Sequence, residues 1–318
     1  MLKKIAEAIS KADNIALLPH ISADGDAIGS SLALAIVLSG TGKKVSVLVE
    51  ESIPQTYCFL PGKELSCIYS GQDMQYDMAI ALDCGDIGRL GSRRAIFDKA
   101  PITANIDHHP TNNGFALHDH VNTSASATGE IIFRLLEQMD IKPDKDAAIC
   151  LYTAITSDTG GFRYSNTTPE TLIICSELLK TGVDSAEISK SIFETTTLGR
   201  VKLTGEAINS LKLYESGKIA VMILSQEALK RSGASEDDND GIINTARNIR
   251  GVEAAAVLRE MDNGDIKVSL RSNDYVDVSV IARRHNGGGH KRAAGFTKKG
   301  DELVKAASEL IKDIKGML

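Results

Sequence analysis

The 318-residue chain has no tryptophan, and its seven Phe and seven Tyr bring aromatic content to only 4%. That composition excludes a row of aromatic side chains on which successive bases of a long single strand could stack. Phe162 and Tyr164 are the two aromatics placed to stack on a base, and core packing would serve them equally well. Basic charge is not in excess either. The 36 Lys and Arg against 42 Asp and Glu leave a net charge of −6, which argues against binding of duplex nucleic acid. It leaves room for a small anionic substrate held by metals and a local basic cluster. The five cysteines (Cys58, Cys67, Cys84, Cys150, Cys175) are widely spaced without a CxxC pair, so neither a zinc knuckle nor a disulfide framework is indicated. Free thiols in a reducing, cytoplasmic setting are expected. No apolar run approaches the roughly 20 residues of a membrane span, and no membrane partner is expected. The opening MLKKIAEAISKADN reads as an amphipathic helix without the apolar core of a signal peptide.

What the chain does have is a set of short apolar runs that each end on a polar group. DNIALLPH ends at His20, DMAIALD at Asp83, and PITANID at Asp107, followed at once by His108 and His109. With KKVSVLVE, these runs suggest strands of a mostly parallel sheet buried on both faces. Helical patterns over 126–140 and 144–156 supply its flanks. In open α/β sheets, ligands bind beyond the carboxyl ends of strands, where these groups fall. HISADGDAIGS adds Asp24 and Asp26 on the first strand-to-helix turn, and SDTGGFRYSNTTPET adds Asp158 at the end of an apolar helix. For each residue alone, a cap or a satisfied core histidine explains it as well. Together, carboxylates and imidazoles without cysteine suit Mn²⁺, and the histidines favour it over Mg²⁺, which prefers oxygen ligands. The number of carboxylates suggests two ions, with Asp83 as the natural bridge.

From about residue 200 a second region begins, with strand patterns at 217–224, 253–260 and 265–272, an acidic stretch SGASEDDNDG expected as a loop, and a C-terminal amphipathic helix. It contains NGGGHKRAAGF, in which three glycines allow backbone amides close to an anion. His290, Lys291 and Arg292 follow, with Arg271, Ser272, Arg283 and Arg284 upstream. This basic patch in an acidic chain suggests phosphate or carboxylate capture, and a solvated turn is the plainer alternative.

At these residues the chain resembles the DHH/DHHA1 phosphoesterases. HISADGDAIGS, ALDCGDIGRLG, IDHHP and SDTGGFRYSNTTPET look like four ordered motifs of the DHH domain, and NGGGHKRAAGF looks like the signature of DHHA1. Ala23 stands where many members have Pro, and Asn286 where some have a fourth Gly; neither removes a ligand. The length is most similar to the stand-alone nanoRNase/pAp-phosphatase subgroup. The resemblance implies an α/β architecture: a DHH catalytic metal-binding domain over 1–185, a helical linker over 186–203, and a smaller α/β DHHA1 substrate-binding domain over 204–318. It implies His20, Asp24 and Asp83 on one divalent ion, and Asp26, Asp83, His108 and Asp158 on the other. His109 would touch the scissile phosphate, with Asp107 orienting a histidine. Arg271, Ser272, Gly287, Gly288, Gly289, His290 and Arg292 would grip a phosphate or nucleotide.

The implied activity is Mn-dependent hydrolysis of very short oligoribonucleotides to mononucleotides and of 3′-phosphoadenosine-5′-phosphate to AMP, by water activated between two metals. A cyclic-di-AMP or pApA phosphodiesterase would use the same site. An inorganic pyrophosphatase would share the N-terminal motifs but not the GGGH string, and a non-catalytic nucleotide sensor would not need every ligand. The expected partners are short RNA or a small nucleotide, with a homodimer open.

Overall fold

A computed structural model describes residues 1–239 and 241–318. The chain divides into two compact units, Met1–Thr195 and Thr196–Leu318. The division falls inside the segment 186–203, where extended backbone at Thr195 and Thr197 interrupts the helical path.

The first unit is built on six strands: β1 (Asn14–Pro19), β2 (Lys44–Val49), β3 (Ser66–Ile68), β4 (Met78–Leu82), β5 (Ile102–Asp107) and β6 (His118–Val121). They form one sheet in the order β3-β2-β1-β4-β5-β6, and every pairing is parallel. The helices are α1 (Leu2–Lys11), α2 (Gly25–Gly40), α3 (Arg94–Lys99), α4 (Thr128–Gln138), α5 (Lys145–Asp158), α6 (Pro169–Leu179) and the short α7 (Ser185–Ser189). Period-two alternation splits each strand between two layers. Ile15 and Leu17 of β1 face the core shared with α1, α2, α4 and α5, whereas Ala16 and Leu18 face the smaller cluster around Ile96 and Phe97 of α3. Both faces are therefore covered, as a parallel sheet requires. The two helices nearest the strand ends approach closely: a Cβ on Gly29 of α2 would lie 2.5 Å from the Cys150 carbonyl of α5.

The chain runs outward from β1 to β3 and then returns to β4 on the other side of β1, so the strand order reverses between β1 and β4. Open α/β sheets carry their ligand sites at this crevice. His20 directly follows β1 and Asp83 directly follows β4.

The second unit holds β7 (Lys212–Tyr214), β8 (Ile219–Leu224), β9 (Ala254–Glu260), β10 (Ile266–Ser272), β11 (Gly288–His290) and β12 (Ala293–Lys298) in the order β11-β12-β10-β9-β8-β7. Only β8 and β9 among these pair in parallel. One face packs on α8 (Leu198–Ser210), α9 (Gln226–Ser232) and α10 (Ile242–Arg247), the other on α11 (Val278–Arg284) and α12 (Leu303–Lys315). In the acidic stretch 232–241 a 3₁₀ turn covers Asp237–Asn239, and Asp240 lies outside the described residues. The glycine string is an edge strand in a hairpin rather than a simple turn: Gly288 pairs with Gly295 and His290 with Ala293. The hairpin needs glycine, because Gly289 takes φ +132° and a Cβ there would lie 2.5 Å from the Ala293 carbonyl. Among the described residues no helix is long and apolar enough to cross a membrane.

Candidate metal centre

Six residues that the sequence marks converge beyond the β1 and β4 ends. They form the donor groups His20–Asp24–Asp83 and Asp26–His108–Asp158, and a third group, Asp83–His108–His109, links them; in each, one ligand atom per residue lies within 4.8 Å of the others. Asp83 faces both of the first two groups by its two oxygens. Its Oδ2 lies 3.5 Å from His20 Nε2, and its Oδ1 lies 3.5 Å from His108 Nε2. Around the second group, His108 Nε2 is 3.6 Å from Asp158 Oδ2 and 3.8 Å from Asp26 Oδ2. Asp83 takes φ +58°, a left-handed conformation that costs a non-glycine residue on the order of 1–3 kcal/mol and that Asp tolerates better than most. Its N–H donates to Ile106 O of β5 at 3.0 Å, which ties it to the sheet.

Local structure explains how each side chain is aimed. Asp24 is the N-cap of α2 and accepts from the N–H groups of Asp26 and Ala27, while Asp26 sits buried in the first turn. Asp26 accepts from Thr128 N at 2.6 Å, Gly129 N at 2.9 Å and Ser30 Oγ at 3.0 Å. His20 Nδ1 lies 2.7 Å from the Ile21 carbonyl, and Nε2 faces Asp24 and Asp83. Asp158 is steadied by Asn166 Nδ2 at 3.4 Å. His109 sits beside the cluster: its Nδ1 is 2.7 Å from Asp107 Oδ1 and 3.6 Å from Asp83 Oδ1, and Asp107 Oδ2 accepts from Asn112 Nδ2 at 2.7 Å. The histidine that Asp107 orients is therefore His109.

The electrostatics are those of a cation site. Burial, then the charges of Asp83 and Asp158, drive the Asp26 carboxyl well above its usual range. Burial pushes Asp158 up to about 6; His108 opposes this, and Asp83 adds to it. His20 is pulled down by burial, but Asp24 and Asp83 outweigh that and raise it to about 10. Four carboxylates this close repel one another unless positive charge sits among them. Oxygen and imidazole donors without thiolate fit a hard or borderline divalent ion.

In the second unit, Arg271, Ser272, Gly287, Gly288, Gly289, His290 and Arg292 gather where β10, β11 and β12 meet. Ser272 is buried and its hydroxyl donates to Val276 O at 2.6 Å, while Arg292 Nη1 donates to the same carbonyl at 3.1 Å. Both thus have local work in holding the 272–276 turn. Arg271 Nη1 donates to Leu270 O at 3.0 Å. Of the two aromatics, Phe162 packs edge-on against Tyr152 with ring centroids 6.1 Å apart, and Tyr164 is exposed.

Sequence reading misses several residues here. Thr128, Asn112, Asn166 and Arg89, whose Nη2 lies 2.7 Å from His20 Nδ1, carry no spacing signal. Arg89 and Asn166 fall within quoted motifs, Thr128 and Asn112 outside them. Arg93 is fully buried and its Nη1 donates to Pro19 O and Leu48 O, clamping the ends of β1 and β2.

The chain is similar to known proteins over nearly its whole length. Residues 14–155 match the DHH family N-terminal domain and residues 216–316 the DHHA1 domain. The protein named bifunctional oligoribonuclease and PAP phosphatase NrnA from Thermus thermophilus is 30% identical over 318 residues, covering 99% of this chain and 93% of that protein. The chain belongs to the DHH family. The Bacillus subtilis protein of the same name is 30% identical over 303 residues, 93% of this chain and 92% of its own. A crystal structure of an exopolyphosphatase-related protein from Bacteroides fragilis superposes with a TM-score of 0.92 at 30% identity, covering 99% of this chain and 96% of that one. The DHH-family chain thus matches its relatives over both units.

Proposed function

We propose that this protein is a cytoplasmic phosphoesterase that uses two divalent ions, Mn²⁺ above all, to hydrolyse very short oligoribonucleotides to mononucleotides and 3′-phosphoadenosine-5′-phosphate to AMP. The observation that carries the reading is Asp83, whose two oxygens face two separate donor groups. The relatives' printed names support the substrate class. His20, Asp24 and Asp83 would hold one ion, and Asp26, Asp83, His108 and Asp158 the other. Bound ions would lower the pKa of a shared water and stabilise charge on phosphoryl oxygens.

The chain's own groups do the rest. Asp107 holds the His109 imidazole and keeps its pKa raised against the pull of burial, so His109 meets the scissile phosphate as a cation able to protonate the leaving oxygen. Arg271, Ser272, His290, Arg292 and the Gly287–Gly289 backbone grip a phosphate that is not cleaved. The partners are short RNA or a small nucleotide, without duplex or membrane, and a homodimer is compatible. The test is a panel of di- to pentanucleotide RNA, pAp, pApA, cyclic-di-AMP and pyrophosphate with Mn²⁺ or Mg²⁺. Release of mononucleotide from short RNA and of phosphate from pAp is expected. Turnover confined to cyclic-di-AMP or pyrophosphate would overturn the reading.

A further inference from the structure

Thr128 is the first residue of α4 and is fully buried. Its N–H donates to Asp26 Oδ2 at 2.6 Å, and its hydroxyl donates to Asp83 Oδ1 at 2.9 Å. One residue thus touches a carboxylate of each donor group, across 102 positions of sequence to Asp26 and 45 to Asp83. We propose that Thr128 is a positioning residue that keeps Asp83 a bridge rather than a chelator of a single ion. The inference rests on the two-ion reading.

The argument concerns the plane of one carboxylate. An ionised carboxylate has about four lone-pair sites on its two oxygens. It can give one oxygen to each of two cations or turn both toward one cation. Nothing intrinsic to the Asp83 side chain prefers the first, because its terminal torsion is broad. A fixed donor on one oxygen removes that freedom. The Thr128 hydroxyl supplies it from a β-branched side chain with restricted χ1, on a helix whose next N–H, that of Gly129, is also engaged with Asp26. With Oδ1 held toward His108, Oδ2 stays toward His20. The hydroxyl fills one lone pair of Oδ1 and leaves the other for an ion. The backbone bonds to Asp26 persist whatever side chain stands at 128, so the bridge can be tested apart from the helix.

The experiment is Mn²⁺ titration of the chelator-treated full chain by calorimetry, with electron paramagnetic resonance to detect exchange coupling between two ions. The variants are Thr128→Val, close in shape without the hydroxyl, and Thr128→Ser, which keeps it. Wild type and Thr128→Ser are expected to bind two coupled ions. Thr128→Val is expected to bind the first ion within about threefold of wild type and the second roughly ten- to a hundredfold more weakly, with the coupled signal lost. If Thr128→Val does not fold, Thr128→Ala takes its place with the same expectation. Two coupled ions in the folded hydroxyl-free variant would overturn the proposal, as would equal loss of both ions. Wild type binding only one ion would overturn the two-ion reading itself, and this inference with it.

Discussion

Replacing Asp107 by Asn removes one charge from behind His109 and one of the two acceptor oxygens there. Asp107 has no solvent exposure, and its two oxygens meet His109 Nδ1 and Asn112 Nδ2, each at 2.7 Å. Burial alone would raise the carboxyl and lower the imidazole. The contact reverses both, holding Asp107 below and His109 above their ordinary ranges. A hydrogen bond to a charged group contributes about 1.5–3 kcal/mol. Losing it lowers the His109 pKa. His109 as an acid must be protonated, so the alkaline limb of the kcat profile moves to lower pH. Turnover at pH 8 falls roughly ten- to a hundredfold, and the acid side changes less. Asp107 belongs to none of the donor groups, so bound metal stays at two per chain. The stability signs follow from the same shifts. The depressed carboxyl stabilises the fold above the unfolded value of 3.8, and the raised imidazole stabilises it below 6.5. Their joint contribution is complete between those values and is missing from the variant. The assay is a pH–rate profile on pAp in Mn²⁺ with metal analysis alongside. An unmoved alkaline limb, or metal lost in step with activity, refutes the reasoning.

Four further outcomes are expected. In chelator-treated protein the melting temperature falls as pH rises from 3.8 to about 6, because Asp158 loses a proton that the fold favours. It falls again from 6.5 toward about 10 as His20 loses its charge; saturating Mn²⁺ flattens both steps, and equal slopes with and without metal count against the site. His108→Ala loses an ion, whereas His109→Ala keeps both and loses turnover; equal metal loss in the two, measured by elemental analysis, removes the division of labour. Arg271→Ala lowers kcat/KM on dinucleotides and pAp roughly ten- to a hundredfold, spares metal content, and affects bis-p-nitrophenyl phosphate less; equal loss on both substrates rules out a clamp on a second phosphate. Gly29→Ala destabilises by about 1–3 kcal/mol in denaturant titration, because the new methyl would sit 2.5 Å from the Cys150 carbonyl; an unchanged midpoint shows that α2 and α5 part freely.

The placement of the site follows from chain topology more than from any one residue. A parallel sheet whose strand order reverses beside β1 leaves a crevice at the β1 and β4 ends. The residues immediately after those strands are a histidine and an aspartate. Helices α2 and α4 then bring their first turns to the same place, so backbone N–H groups stabilise carboxylates that would otherwise repel. Close packing of α2 on α5, which admits no side chain at Gly29, keeps the Asp24–Asp26 turn and Asp158 at fixed separation.

By itself the amino-acid sequence determined the parallel first sheet and the residue types at its strand ends. Strands buried on both faces read as continuous apolar runs, and a polar residue closing such a run has nowhere to go but the sheet edge. His20, Asp83 and Asp107–His109 were legible for that reason, and the ordered motifs marked the family. Short edge strands were not legible: β3, β6 and β7 have three or four residues each, and β11 is made of glycines and a histidine that local pattern reads as a turn. Nor could spacing say which histidine Asp107 supports, since His108 and His109 both follow it closely; their rings lie edge-on 4.8 Å apart, and only the fold shows His109 Nδ1 on Asp107 and His108 Nε2 toward Asp26 and Asp158. The split of Asp83 between two donor groups and the grip of Thr128 on it were decided by tertiary structure alone. They join residues from β4, α2 and α4 that no local periodicity relates, and a hydrogen bond formed across 102 residues leaves no mark on the segments it joins.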